Sequence, residues 1–117
     1  MTHNSPIEYK RIVIYKDVDI EVTIIEWPPG AETPWHDHGD AKGVITVLDG
    51  RVRESVRDKK TKGSPRTFFH SRGNTFFETT DTIHKMKNIS LVQSAVTVHV
   101  YTAHFEMKEY TEEELKQ

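Results

Sequence analysis

The chain has no cysteine among its 117 residues. Disulfides, thiolate metal sites and a cysteine nucleophile are therefore excluded. Long apolar runs are missing too, with nothing near the roughly 18 residues that a membrane-spanning helix needs. The opening MTHNSPIEYK has neither a basic stretch nor an apolar stretch of the secretory kind, so a cytoplasmic location is expected. Neither sign of charge is in excess: the net charge of -2 gives no electrostatic footprint for nucleic acid or an anionic membrane. Helical periodicity is almost absent. The length accommodates one core but not two, so residues 1–117 are expected to form a single domain.

What the chain does have is short alternating segments separated by turn residues. Residues 1–8 read as a loose polar arm, and 9–106 as the body. Tyr9 to Tyr15 alternates as a strand does, and Ile20 to Trp27 forms a second strand that Pro28-Pro29-Gly30 ends. Val44 to Leu48 is β-branched and apolar, as in a buried strand. Asp49-Gly50 predicts a tight type I′ hairpin turn. Arg51 to Arg57 returns as a strand with Arg51, Arg53, Glu54 and Arg57 toward solvent, and DKKTKGSP is a charged, solvated loop tip. Arg66 to His70, Asn74 to Glu78, Thr82 to Lys87 and Ala95 to His104 supply further strands. In the tail, 107–117, Thr111-Glu112-Glu113-Glu114 begins one short helix through a capping box. Many short strands with one terminal turn of helix predict an all-β barrel or sandwich.

The candidate chemistry begins at His36 and His38. Two residues apart on an extended chain, their side chains leave the backbone about 6 to 7 Å apart on one face, from a rise of about 3.3 Å per residue. They can lean together onto one metal ion, although two solvated loop histidines would look the same. The frame around them is more specific. Gly30, five residues, His36, one residue, His38, four residues, Gly43, six residues and Gly50 resemble the first motif of the cupin superfamily, with Gly43 where that motif carries a glutamate ligand. Gly73, His84 and Asn88 stand at the intervals of the second cupin motif, with Thr79 and Asp81 in its proline and glycine positions. The resemblance implies a single jelly-roll-like β-barrel that binds a metal.

A second file lies on the last long strand. Val96, Val98 and Val100 share one face, while Thr97, His99 and Tyr101 share the other. The pattern alone leaves open whether the polar file faces a lumen or solvent.

The segments PWHDHGDAKGVITVLDG, DTIHKMKN and AVTVHVYTAHF resemble the three motif regions of the cysteine dioxygenase family of thiol dioxygenases, over roughly residues 9–106. The resemblance implies one Fe(II) ion held by His36, His38 and His84 without a glutamate. Gly43 then matches the position where animal enzymes carry the cysteine of a Cys-Tyr crosslink, and bacterial members commonly glycine. Thr97, His99 and Tyr101 match the family's Ser-His-Tyr catalytic file, with Tyr101 uncrosslinked here. Tyr9 and Arg11 match a Tyr-x-Arg pair whose arginine binds the substrate carboxylate. The implied reaction is oxidation of a small carboxylate-bearing thiol, L-cysteine first, to its sulfinic acid with O2. The rival readings are another metal-dependent cupin enzyme, cleaving a carbon-carbon bond or isomerising, and a non-catalytic cupin that binds a small molecule. For Arg11 the alternative role is a surface salt bridge, and for Tyr101 a core tyrosine bonded to backbone. His3, His70 and His104 match no motif, and Trp27 and Trp35 read as packing or cavity wall. No nucleic-acid or membrane partner is expected, and the oligomeric state is open between monomer and homodimer.

Overall fold

The computed structural model describes residues 7–61, 63–102 and 107–115. Among the described residues, ten strands and one short helix follow in chain order. They are β1 (Lys10–Lys16), β2 (Ile20–Trp27), β3 (Trp35–Asp37), β4 (Gly43–Asp49), β5 (Arg51–Asp58), β6 (Arg66–Ser71), β7 (Thr75–Glu78), β8 (Thr82–Lys87), β9 (Ala95–Thr102), β10 (Lys108–Tyr110) and α1 (Glu112–Leu115). One five-stranded sheet runs β1-β2-β9-β4-β7 and the other β10-β3-β8-β5-β6. The fold is jelly-roll-like and all-β, with a short C-terminal helix. No helix among the described residues is long and apolar enough to cross a membrane.

The alternation read in the sequence decides which side chains enter the space between the sheets. On β9, Ala95, Thr97, His99 and Tyr101 are buried, while Val96, Val98 and Val100 point outward. The Thr97, His99 and Tyr101 file therefore faces the lumen. Trp27, Ala31, Ile45, Val47, Val52 and Met86 pack as the main core, with Tyr9 stacked on Trp27 at 5.1 Å between ring centroids. A smaller cluster of Trp35, Ile83 and Leu115 seats the terminal helix. The capping box forms as the sequence predicts: Glu114 N donates to Thr111 Oγ1 and Thr111 N to Glu114 Oε1, each at 3.2 Å.

Two expectations are corrected. Asp49-Gly50 does not close a hairpin, because β4 and β5 belong to different sheets. Gly50 instead turns the chain at a corner, with φ of 77°. A Cβ there would stand 2.9 Å from the backbone of Ala95, so glycine is demanded by space as well as by conformation. Glu54 is buried rather than solvent-facing, since it shares the inward face of β5 with Val52 and Val56. As expected, the loop after Pro28-Pro29-Gly30 ends at Trp35, and the extended segment β3 carries His36 and ends one residue before His38. The expected strand end at 103–104 lies outside the described residues, as do His3 and His104.

Candidate metal centre and its surroundings

β3 and β8 pair so that His36 stands directly opposite His84. With His38 they form a buried group whose ligand atoms all lie within 4.8 Å of one another. Hydrogen bonds outside the group choose which nitrogens face inward. His36 Nδ1 donates to the Pro34 carbonyl at 2.8 Å, and His84 Nδ1 is held by Glu54 Oε2 at 2.9 Å. Both Nε2 atoms therefore meet inside, 3.1 Å apart. Donors bound at 2.0–2.2 Å and at right angles to one another would be separated by about 2.8–3.1 Å. The donor set thus fits a first-row metal ion, and the outer carboxylate and carbonyl fix ring orientation as such sites require.

Two carboxylates that sequence reasoning did not single out complete this network. Glu78, from β7, brings Oε2 to 2.6 Å from His38 Nδ1 and Oε1 to 3.0 Å from His84 Nε2. Glu54 bridges His84 to His70, whose Nε2 lies 2.9 Å from Glu54 Oε1. His70, read as an ordinary histidine, stacks flat on Phe76 at 3.6 Å and supports the far side of the network. A signal was present in both strands: Glu54 is two residues from Val52 and from Val56, and Glu78 is two from Phe76, so each shares a buried face.

Burial and these charges set the protonation of the imidazoles. Burial drives His36 down to about 3, so it is neutral. Burial also works against a charged His84, but Glu78 and Glu54 outweigh it and raise His84 to about 10. Burial opposes ionisation of Glu78, yet His84 and His38 hold it well below the usual carboxylate range. An imidazolium and a carboxylate thus share the place where a cation would be held.

The opposite sheet presents the polar file. Trp27 Nε1 donates to Thr97 Oγ1 at 2.8 Å, Thr97 Oγ1 meets His99 Nε2 at 2.6 Å, and His99 Nδ1 meets Tyr101 Oη at 2.8 Å. An indole can only donate. The Thr97 hydroxyl proton is then left for His99 Nε2, and a neutral His99 carries its own proton on Nδ1 toward Tyr101. His99 is neutral because burial lowers it to about 3. Tyr101 stays a phenol, raised well above its ordinary value by burial and by Glu78. The file therefore orients Tyr101, whose ring also stacks on His38 at 4.9 Å. Tyr9 and Arg11 reach the same cleft as His36, His38, His99 and Tyr101. Arg11 Nη2 is 3.4 Å from Glu21 Oε2, so the salt bridge envisaged for it is present alongside its place in the cleft.

Gly43 explains why position 43 carries neither cysteine nor glutamate here. It lies between Glu78 of β7 and Tyr101 of β9 in one row across the sheet. A Cβ at this point would meet two carbons of the Tyr101 ring at 2.7 Å. Gly43→Ala is expected to cost about 1–3 kcal/mol through overpacking, and to lower the melting temperature by roughly 4 °C or more. Thermal unfolding of the metal-free protein checks it, and an unchanged midpoint would mean that the tyrosine ring does not occupy that space.

Residues 6–113 match the sequence profile described as Cysteine dioxygenase type I. The chain belongs to that family. Solved structures agree on the fold at low identity. A double-stranded β-helix domain protein from Klebsiella pneumoniae superposes with a TM-score of 0.73 and 17% identity, over 94% of this chain and 90% of that one. The cupin domain of Cnp3 from Schizosaccharomyces pombe gives 0.69 and 19%, over 81% of this chain and 64% of that longer one. A recombinant oxalate oxidase in complex with glycolate gives 0.72 and 14%, over 86% of this chain and 53% of that one. Within the cysteine dioxygenase family this member is thus a metal-dependent cupin with a three-histidine group, an uncrosslinked tyrosine and a carboxylate beside the metal position.

Proposed function

We propose that the protein is a mononuclear non-haem iron dioxygenase that oxidises a small carboxylate-bearing thiol, L-cysteine first, to its sulfinic acid. The observation that carries this reading is that Arg11, His99 and Tyr101 line one cleft with His36 and His38. One thiol and one O2 give one sulfinic acid, with both oxygen atoms on sulfur and no further reductant required. Fe(II) held by His36, His38 and His84 would supply the Lewis acidity and redox chemistry for that step.

The protein's own groups account for the rest. Arg11 grips the substrate carboxylate as a planar fork, in competition with Glu21. Tyr101, accepting from His99, directs its hydroxyl proton toward the substrate. The free space in this cleft is about 10 Å³, room for a single water. Entry of a thiol therefore requires the lining side chains to swing aside. A reducing cytoplasm, which keeps thiols reduced, suits this chemistry.

A charged fork to a carboxylate contributes about 1.5–3 kcal/mol, or roughly ten- to a hundredfold in affinity at about 1.4 kcal/mol per decade. Arg11→Ala is expected to raise the KM for L-cysteine by that factor and to leave cysteamine, which has no carboxylate, little changed. Oxygen uptake coupled to sulfinate formation across a thiol panel is the measurement. Equal losses for the two thiols would make Arg11 structural, and no uptake with any thiol would end the reading.

One observation favours a second reading, a different metal-dependent cupin enzyme such as a carbon-carbon-cleaving dioxygenase or an isomerase. A roomier cavity of about 230 Å³ reaches His38, Glu78 and His84 between Phe68, His70, Phe76 and Phe77. That aromatic wall suits a larger and less polar ligand than cysteine. A non-catalytic binding cupin would retain such a ligand without turning it over.

A further inference from the structure

We propose that the outer face of the β1-β2-β9-β4-β7 sheet is a dimer interface, and that its occupant is a second copy of this chain. The proposal concerns the back of the sheet and does not depend on the thiol reaction. An antiparallel sheet with one solvated face is expected to turn apolar residues inward and polar residues outward. β9 does the reverse: Thr97, His99 and Tyr101 enter the lumen, while Val96, Val98 and Val100 point outward. The register carries this inversion across all five strands. Tyr15 pairs with Val22, Val22 with Val100, Val100 with Val44 and Val44 with Phe77, which makes one apolar row from edge to edge. In the next row Ile12, Ile24 and Val98 follow one another and lead to Thr46 and Thr75. No position in either row is charged.

The ends of the first row are its most open part, with Phe77 71% and Tyr15 51% exposed. The whole face has the size of an interface. β2 and β9 are eight residues long, about 26 Å at about 3.3 Å per residue. Five strands about 4.8 Å apart make the face about 24 Å wide. Two such faces laid together bury at least about 1,200 Å², where the range of stable protein interfaces begins. Singly scattered apolar residues are ordinary on a monomer, but a continuous patch of this extent marks a contact.

Charge selects a second copy as the occupant. Asp49, at one end of β4, pairs with the outward-facing Val96, and Lys42, just before the other end, is bonded through its backbone to Thr102. Both are exposed, and they carry opposite charges at the two limits of the uncharged rows. Lys10 and Glu26 face each other at the Asp49 end and offset one another. A two-fold axis lying between the faces and running along the rows reverses β4 upon itself, so that Lys42 of each copy comes over Asp49 of the other. One patch then supplies both halves of the contact, as a two-fold interface requires. Sheets stacked in this way lie about 10 Å apart with strand directions within about 30°. The dimer also clamps from behind the strand that carries Thr97, His99 and Tyr101.

The test is sedimentation equilibrium of the full chain, with circular dichroism as the control for folding. Wild type is expected at about twice the 13.6 kDa of one chain at micromolar concentration. Val44→Lys places an unpaired charge in the apolar row, and the two-fold axis places it there twice, so its dimer is expected to be at least about tenfold weaker. Phe77→Lys is expected to weaken the dimer in the same direction, and at so exposed a position it leaves the core of each chain intact. It keeps the test decisive if Val44→Lys does not fold. A wild-type chain that stays monomeric, whether or not lipid vesicles or another protein bind it, would overturn the proposal. Wild-type dimer affinity in either folded variant would also overturn it, by placing the contact on another surface.

Discussion

Replacing His84 by alanine is expected to weaken Fe(II) binding by a hundredfold or more and to abolish oxygen uptake. Removing a group that merely orients a metal ligand typically costs ten- to a hundredfold in affinity. His84 is placed to be a ligand, and it also joins the two halves of the network, with Glu54 at one nitrogen and Glu78 at the other. Its loss removes one donor and leaves both carboxylates without the imidazole between them. In the metal-free protein, deleting one partner of a buried ionic pair costs about 3–5 kcal/mol, so circular dichroism must accompany the metal analysis. Free imidazole offers a second control, since it can enter the vacated space and restore affinity. Unchanged iron content and affinity in folded His84→Ala would show that this histidine is not part of the centre.

The second large effect belongs to Trp27, which is fully buried at the middle of the main core. Trp27→Ala is expected to cost about 3–5 kcal/mol by cavity formation, a shift of roughly 12 °C or more in melting temperature. Trp27→Phe separates packing from hydrogen bonding. It keeps most of the apolar volume but takes the indole proton away from Thr97 Oγ1. The Thr97 hydroxyl is then free to accept from His99 Nε2, and the file can reverse its direction. Trp27→Phe is therefore expected to remain folded yet lose kcat with little change in KM. A variant with wild-type kcat would show that the indole serves packing alone.

Much of this was legible in the chain. Alternation located nearly every long strand, because a half-buried strand must place apolar residues at every second position. The spacing of His36 and His38 puts two imidazoles on one face, because side-chain direction along an extended segment follows from residue count, and the resemblance to the second cupin motif adds His84; the structure gathers all three into one buried group that could hold a metal. The two valine-flanked and phenylalanine-flanked glutamates were harder. Glu54 sits in RVRESVRD, whose other charges suggest a solvated ribbon, and Glu78 gains its meaning only from pairing with Gly43. Pairing is a long-range fact that no local window contains. β3 and β10, three residues each, are too short for periodicity to register. The corner at Gly50 has the composition of a hairpin, and only the assignment of β4 and β5 to separate sheets tells the two apart.

The pairing of β2 with β9 also has a kinetic consequence. It runs over eight residue pairs, from Ile20 opposite Thr102 to Trp27 opposite Ala95. Contacts so distant along the chain form slowly, because loop closure must be completed before they are rewarded. During synthesis Trp27 emerges early and has to wait for Thr97, while β2 presents an open edge. The Thr97-His99-Tyr101 file and the core it leans on therefore mature together, after the last long strand has left the ribosome. Destabilising substitutions at this seam should lower the yield of folded protein more than they lower the stability of molecules that have already folded.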